Sequence, residues 1–353
     1  MHQDDKNPIR GRGASDNPAN RFEGKYIDYE LDEETGEKPV QQTKLISDDT
    51  KEILSKNDSP DIPFTYGLNP YRGCEHGCIY CYARPMHEFL GFSAGLDFES
   101  RIMVKYKAAE KLRSKFASTK WKPEPITLSG VTDPFQPVER KLQITRNCLG
   151  VFAEARNPVG IITKNYLVTR DIYLLEELAQ YDAVHVTLSI TTLDRDLARV
   201  MEPRTSQPNR RLKAIEKLAE RGISVGVNVA PIIPGLTDHE CPQILERARE
   251  AGATQAAYTI VRLPHGVKDL FKEWLEQHFP DRKEKVLNRI RDIRDGKLYE
   301  SKFGERFHGK GEFASQIRSM FKINVEKLGF NKQELQLSTQ YFQRPKEGQL
   351  GLF

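Results

Sequence analysis

YGLNPYRGCEHGCIYCYARP, residues 66–85, decides how the rest of the chain is read. It holds Cys74, Cys78 and Cys81, three of the chain's five cysteines, in a C-x3-C-x2-C spacing. Thiolates are soft ligands suited to zinc or to iron–sulfur clusters. Three of them on one short loop can surround a compact cluster while one metal keeps no protein ligand. An open coordination position is what a catalytic metal needs, and a closed structural site lacks one. Gly73 and Gly77 let the loop turn tightly around such a group. Spacing alone leaves zinc open as well, with His76 or His87 as fourth ligand. An odd and sparse cysteine set argues against a disulfide framework.

Outward from this loop, short apolar runs alternate with helical patterns. The expected strands are Phe64–Leu68, Ile126–Val131, Val159–Lys164, Val184–Ile190, Ile223–Ala230 and Ala256–Arg262. Helical periodicity falls near 105–118, 139–156, 170–181, 208–221 and 238–251. Val225, Val227 and Val229 lie in a near-continuous apolar run after the helix stop Arg221-Gly222. Strands alternating with helices imply a parallel α/β architecture. Periodicity does not separate a barrel from an open sheet. The cysteine loop follows the first strand, at the end of a βα series where α/β sites lie.

With these residues in place, the sequence resembles the radical SAM superfamily. In that family C-x3-C-x2-C ligates a [4Fe–4S] cluster, and an aromatic residue, here Tyr80, precedes the third cysteine. The resemblance implies a partial (β/α)6 TIM-type barrel. It also implies S-adenosylmethionine as cosubstrate, bound through its amino and carboxylate groups to the fourth iron and cleaved reductively to a 5′-deoxyadenosyl radical. An electron donor such as flavodoxin or ferredoxin is implied as a partner.

The likeness covers about residues 60–262 and is similar to the spore photoproduct lyase-like branch. Ser129-Gly-Val-Thr132-Asp133-Pro134 resembles the branch's segment beside the cosubstrate. Lys164, ending Ile162-Thr163-Lys164, matches a lysine near the cosubstrate carboxylate, and Ser189 matches a hydroxyl near the ribose. Glu202-Pro-Arg204-Thr205-Ser206, Arg211-Leu212 and Val229-Ala-Pro231-Ile232 continue the match. The expected cofactor-binding set is therefore Tyr80, Thr132, Asp133, Lys164, Ser189 and Arg204, with Cys74, Cys78 and Cys81 as metal ligands. Each has a structural alternative: Asp133 as a turn former before Pro134, Lys164 as a solvated strand end, Ser189 satisfying backbone, Arg204 paired with Glu202.

One departure stands out. Spore photoproduct lyases carry a hydrogen-returning cysteine at the end of the second strand, and Gly130 occupies that position here. Cys148 sits at core spacing with Ile144, Phe152 and Ala155, and Cys241 lies in the first turn of a helix. Photoproduct lyase activity is therefore not assigned. Tyr66, Tyr82, Tyr258 and Cys241 stand as unranked hydrogen-returning candidates. The pattern NPYRGC, CYARP, GLDFE and TDPFQPVE resembles a bacterial group of radical SAM proteins.

The ends of the chain carry other signals. Residues 1–60 are polar and rich in turns, which predicts an extended arm, partly disordered or wrapped over the surface. A core over 61–265, a helical extension over 266–345 and a tail over 346–353 complete the expected division. Residues 281–310 hold ten Lys/Arg and six Asp/Glu, a net +4 that equals the charge of the whole chain, set against the alternative of an ordinary solvated helix face. Gln349, Leu350, Leu352 and Phe353 resemble the peptide by which bacterial DNA-maintenance proteins dock into the replication sliding clamp.

The longest uncharged apolar stretch, 223–236, contains Asn228, Pro231 and Pro234 and is shorter than the ~20 residues of a membrane span. The N-terminus MHQDDKNPIRGRG has no apolar signal core, so a cytoplasmic location without membrane contact is expected. No Walker phosphate loop, G-x-G-x-x-G or H-E-x-x-H is present. The leading expectation is a radical enzyme acting on DNA or RNA in repair or modification. The alternatives are a metal-stapled, non-enzymatic DNA-maintenance adaptor that binds the clamp, and the same radical chemistry on a protein or small molecule.

Overall fold

Ten strands order the computed structural model, which describes residues 8–22 and 42–346. They are β1 (Lys44–Ser47), β2 (Leu54–Lys56), β3 (Tyr66–Leu68), β4 (Tyr71–Arg72), β5 (Arg101–Val104), β6 (Ile126–Leu128), β7 (Val159–Thr163), β8 (Val184–Ser189), β9 (Val225–Ile232) and β10 (Gln255–Ile260). Seven form the main sheet in the order β2-β3-β6-β7-β8-β9-β10. All pairings are parallel except β2 with β3. The parallel strands follow chain order without reversal. Right-handed crossovers then place every intervening helix on one face, so the sheet curls as a barrel does and is not doubly wound. The architecture is a partial (β/α)6 barrel, open between β2 and β10.

Helices Ala108–Ala117, Ile144–Ala155, Ile172–Ala179, Pro208–Ala219 and Cys241–Glu250 supply the crossovers. Each lays an apolar stripe on the sheet. Helix Ile144–Ala155 buries Ile144, Cys148, Leu149, Phe152 and Ala155, which makes Cys148 a core residue. Cys241 is likewise fully buried, beside Ile244 and Leu245. The helical pattern expected over 139–156 is interrupted at Gln143, whose φ is +53°. The cause is Glu139, whose carboxylate accepts from the amides of Thr145 and Arg146 and so caps a second helix. The strand expected to reach Val131 stops at Leu128, because Ser129 (φ +135°) and Gly130 (φ +117°) turn the chain toward the barrel mouth.

A second, small sheet runs β1-β5-β4 beside the cysteine loop, so β4 intervenes between β3 and Cys74. Residues 8–22 pack against this loop. The amides of Gly13 and Ala14 donate to Glu99, and Asn17 pairs with Asp97. β2 belongs to the main sheet although it precedes residue 61.

Helices Val267–His278, Pro280–Asp292 and Gly311–Leu328 form the C-terminal extension. The loop between the last two covers the open edge of β10, where the Phe307 carbonyl accepts from Ile260 N at 2.7 Å. Buried Arg294 fastens it, donating to the carbonyls of Val261, Glu305 and Arg306. Arg306 then reaches Asp61 in the β2–β3 connection, Nε to Oδ2 at 2.8 Å. The gap in the barrel is thus bridged by an ion pair. Among the described residues no helix is long and apolar enough to cross a membrane. The C-terminal peptide Gln349–Phe353 lies outside the described residues.

Candidate active site

The cysteine loop is shaped by close contacts that leave no room for side chains at Gly13 and Gly77. A Cβ on Gly77 would lie 2.6 Å from Glu99 Oε2, and one on Gly13 would lie 1.7 Å from the Gly77 carbonyl. Arg84, fully buried, binds the loop from below. It donates to the carbonyls of Gly77 and Cys78 and pairs with Glu99. Cys74, Cys78 and Cys81 all line one cavity at the C-terminal ends of the strands.

Burial pushes all three thiols up. Asp133 adds to this at Cys74 and Glu202 at Cys78, while Arg84 opposes it at Cys81. Thiolates here need a further positive charge beside them, which a metal supplies. A single ion needs its donors converged on one point. Among the described residues no three His, Cys, Asp or Glu converge in that way. A cubane takes each thiolate on a separate iron. The two histidines considered as a zinc ligand are placed otherwise. His76 lines the cavity with Nε2 3.0 Å from Asn165 Nδ2 and Nδ1 3.4 Å from Asp133 Oδ2. His87 is buried against the rings of Phe92 and Phe98.

A connected polar network lines the rest of the cavity. Asp133 accepts from Thr163 Oγ1 and from Lys164 N, both at 2.7 Å. Burial alone would raise its carboxyl; His76 and these donors outweigh that and hold it low. It is therefore more than a turn former, and it fixes the end of β7. Thr132 donates to the Tyr71 carbonyl. Lys164 Nζ lies 2.8 Å from the Ala230 carbonyl, 3.2 Å from Thr191 Oγ1 and 3.3 Å from Glu202 Oε1, so it is a held amine and not a solvated strand end. Glu202 also receives the Tyr80 hydroxyl and the Arg211 guanidinium. Burial would raise Glu202, but Arg211 and Lys164 hold it well below the carboxylate range. Ser189 is buried at the end of β8 on the same cavity.

Arg204 is the exception among the expected site residues. It is outside the cavity lining and pairs with Glu75 at 3.2 Å, while its amide donates to the His76 carbonyl. The partner of Glu202 is Arg211. Of the hydrogen-returning candidates, Tyr82 lines the cavity, while Tyr66, Tyr258 and Cys241 do not.

Two residues escaped the sequence reading. Asn228, on β9, lines the cavity with Oδ1 buried and without a hydrogen-bond partner. A buried acceptor in that state fits a bound donor. Its signal was a lone amide in an otherwise apolar strand. Arg262, just beyond β10, also lines the cavity.

An open parallel barrel with three cysteines and a held lysine at its strand-end mouth defines a class of metal-dependent enzyme. The sequence profile of the radical SAM superfamily matches residues 68–248. An uncharacterized Mycobacterium tuberculosis protein is 35% identical over 234 residues, covering 66% of this chain and 68% of that one. The radical SAM Nalpha-GlyT isomerase of Pseudomonas phage M6 is 25% identical over 216 residues, 60% of this chain and 43% of that protein. A spore photoproduct lyase mutant with bound AdoMet and dinucleoside spore photoproduct superposes with a TM-score of 0.56 at 15% identity, covering 81% of this chain and 80% of that one. At that identity the likeness establishes the fold. The chain belongs to the radical SAM superfamily and is an enzyme. A purely non-enzymatic adaptor is set aside accordingly. Membership implies S-adenosylmethionine and a [4Fe–4S] cluster, and the donor set of three cavity-lining thiols fits them.

Proposed function

We propose that this protein cleaves S-adenosylmethionine reductively at a [4Fe–4S] cluster on Cys74, Cys78 and Cys81 and acts on a nucleic acid. The single observation behind this reading is the meeting of those thiols, Lys164 and the orphaned Asn228 oxygen on one cavity, with the His76 ring nitrogens facing Asn165 and Asp133. When bound, the cluster and cosubstrate supply one-electron cleavage of a sulfonium to a carbon radical. The chain's own residues bind and orient. Lys164 presents its amine for the cosubstrate carboxylate, and Glu202 holds that amine in place. Ser189 and Asn228 offer a hydroxyl and a carbonyl to polar groups of the nucleoside. Asp133 and His76 hold the wall on which Lys164 stands.

A nucleic-acid substrate is supported by one fold neighbour, the lyase structure that holds a dinucleoside photoproduct. Among the described residues that line the cavity, the cysteines are the three ligands, and Tyr82 is the hydrogen-returning candidate that lines it. A flavodoxin or ferredoxin is the proposed electron source, and docking of residues 349–353 to a sliding clamp remains a separate proposal. Anaerobic reconstitution should give about four irons and four sulfides per chain, and dithionite should release 5′-deoxyadenosine from the cosubstrate. Protein that holds only zinc and cleaves no cosubstrate would overturn the reading.

A further inference from the structure

Arg262 is the one cavity-lining arginine. It makes no hydrogen bond or ion pair among the described residues, and its Nε is buried without a partner. The fully buried arginines, by contrast, have acceptors. Arg84 has Glu99, Arg211 has Glu202, and Arg294 has three carbonyls. Arg262 is half-buried, and a buried N–H without an acceptor is costly, so its persistence at a cavity wall points to a ligand that provides one.

Its surroundings say what kind of ligand. The guanidinium carbon stands 5.3 Å from the Tyr82 ring centroid and 4.8 Å from that of Phe307. Stacking on rings leaves the in-plane N–H donors of the fork free for an oxyanion. Tyr82 keeps 44% of its surface exposed beside the fork. Phe307 is held in register by its carbonyl on Ile260 N, so the pairing of ring and arginine is built by the fold and not by a mobile tip.

We infer that Arg262, Tyr82 and Phe307 form a docking point for one nucleotide unit of the substrate, the guanidinium taking a backbone phosphate and an aromatic face taking the base. This rests on the nucleic-acid reading above. Stacking faces with an oxyanion fork favour linked bases and phosphates over an acidic peptide, which has the oxyanion but no planar group to stack.

The test is anisotropy of a fluorescein-labelled ten-residue oligothymidylate titrated with reconstituted full-length protein across a salt series. Arg262→Gln should weaken binding about tenfold and reduce the slope of log affinity against log salt by about one. Phe307→Leu should weaken binding while leaving that slope unchanged. Arg262→Lys should keep the slope and lose affinity, because an ammonium is a point charge without the fork. Wild-type affinity and slope in Arg262→Gln would overturn this inference and leave the nucleic-acid reading standing. A wild-type protein that binds neither DNA nor RNA oligonucleotides would overturn both. Arg262-dependent capture of an acidic peptide in preference to the oligonucleotide would also overturn it.

Discussion

Arg84 and Glu99 form an ion pair beneath the cysteine loop, Nη2 to Oε1 at 2.5 Å, with both side chains fully buried. The pair joins three segments. Arg84 holds loop carbonyls, and Glu99 holds the amides of Gly13 and Ala14. Removing one charge leaves the other buried and uncompensated, which costs about 3–5 kcal/mol. Glu99→Gln is therefore expected to lower the unfolding midpoint and the iron retained per chain, although residue 99 binds no metal. Chemical denaturation and iron analysis after reconstitution check this. Full iron loading with unchanged stability would show that the pair does not brace the loop.

Lys164 carries a sharper expectation. Its ammonium is fixed by the Ala230 carbonyl and Glu202 on the cavity wall. If it receives the cosubstrate carboxylate, Lys164→Met should weaken cosubstrate binding about tenfold or more while the iron content stays at the wild-type level. Equilibrium binding to the reconstituted protein reads the first quantity and metal analysis the second. Equal affinity in the variant would assign Lys164 to packing alone.

How much of this was readable beforehand depended on the range of the contacts. The βα rhythm, the cysteines and the strand-end residues Asp133, Lys164 and Ser189 are local signals, and they located the barrel and its mouth. β1 and β5 carry no clear period because each is four residues long and owes its place to pairing across distant sequence. The GRGAS segment reads as a turn, yet Gly13 is small because the Gly77 backbone lies against it. Arg204 looked like the partner of Glu202 by proximity in sequence, but the fold gives that role to Arg211 on the following helix. Arg262 resembles any arginine leaving a strand until Phe307 arrives from a loop beyond two helices.

That same loop supports a prediction about dynamics. Asp61 and Arg306 connect the two sides of the barrel's opening, and both side chains are mostly shielded from solvent. Asp61→Asn would keep a hydrogen-bonding group but remove the charge. A local loss of about 1–2 kcal/mol would speed amide exchange at Ile260, whose N–H is bonded to Phe307, by roughly 5- to 30-fold. Hydrogen exchange read by mass spectrometry should show this at the end of β10 and spare β7. Unchanged exchange there would mean that the ion pair does not hold the loop closed.

His185 sets an acid limit on stability. It lies on β8, buried, with Nδ1 2.9 Å from Ser224 Oγ, and burial lowers its pKa to about 4. In the unfolded chain the imidazole titrates near the ordinary value of about 6.5. Between those values the unfolded state binds a proton that the folded state refuses. The stabilisation is therefore complete above pH ~6.5 and is lost as the pH falls toward ~4. At pH 5 the loss from this one group is about 2 kcal/mol, from ~1.5 units at about 1.4 kcal/mol each. His87, also lowered to about 4 by burial, acts in the same direction. Urea unfolding at pH 7.5 and pH 5 should show His185→Gln losing markedly less stability between the two pH values than the wild type. The variant retains His87, so part of the slope should survive. Identical slopes in the two proteins would place the acid sensitivity elsewhere, in the paired carboxylates that titrate lower.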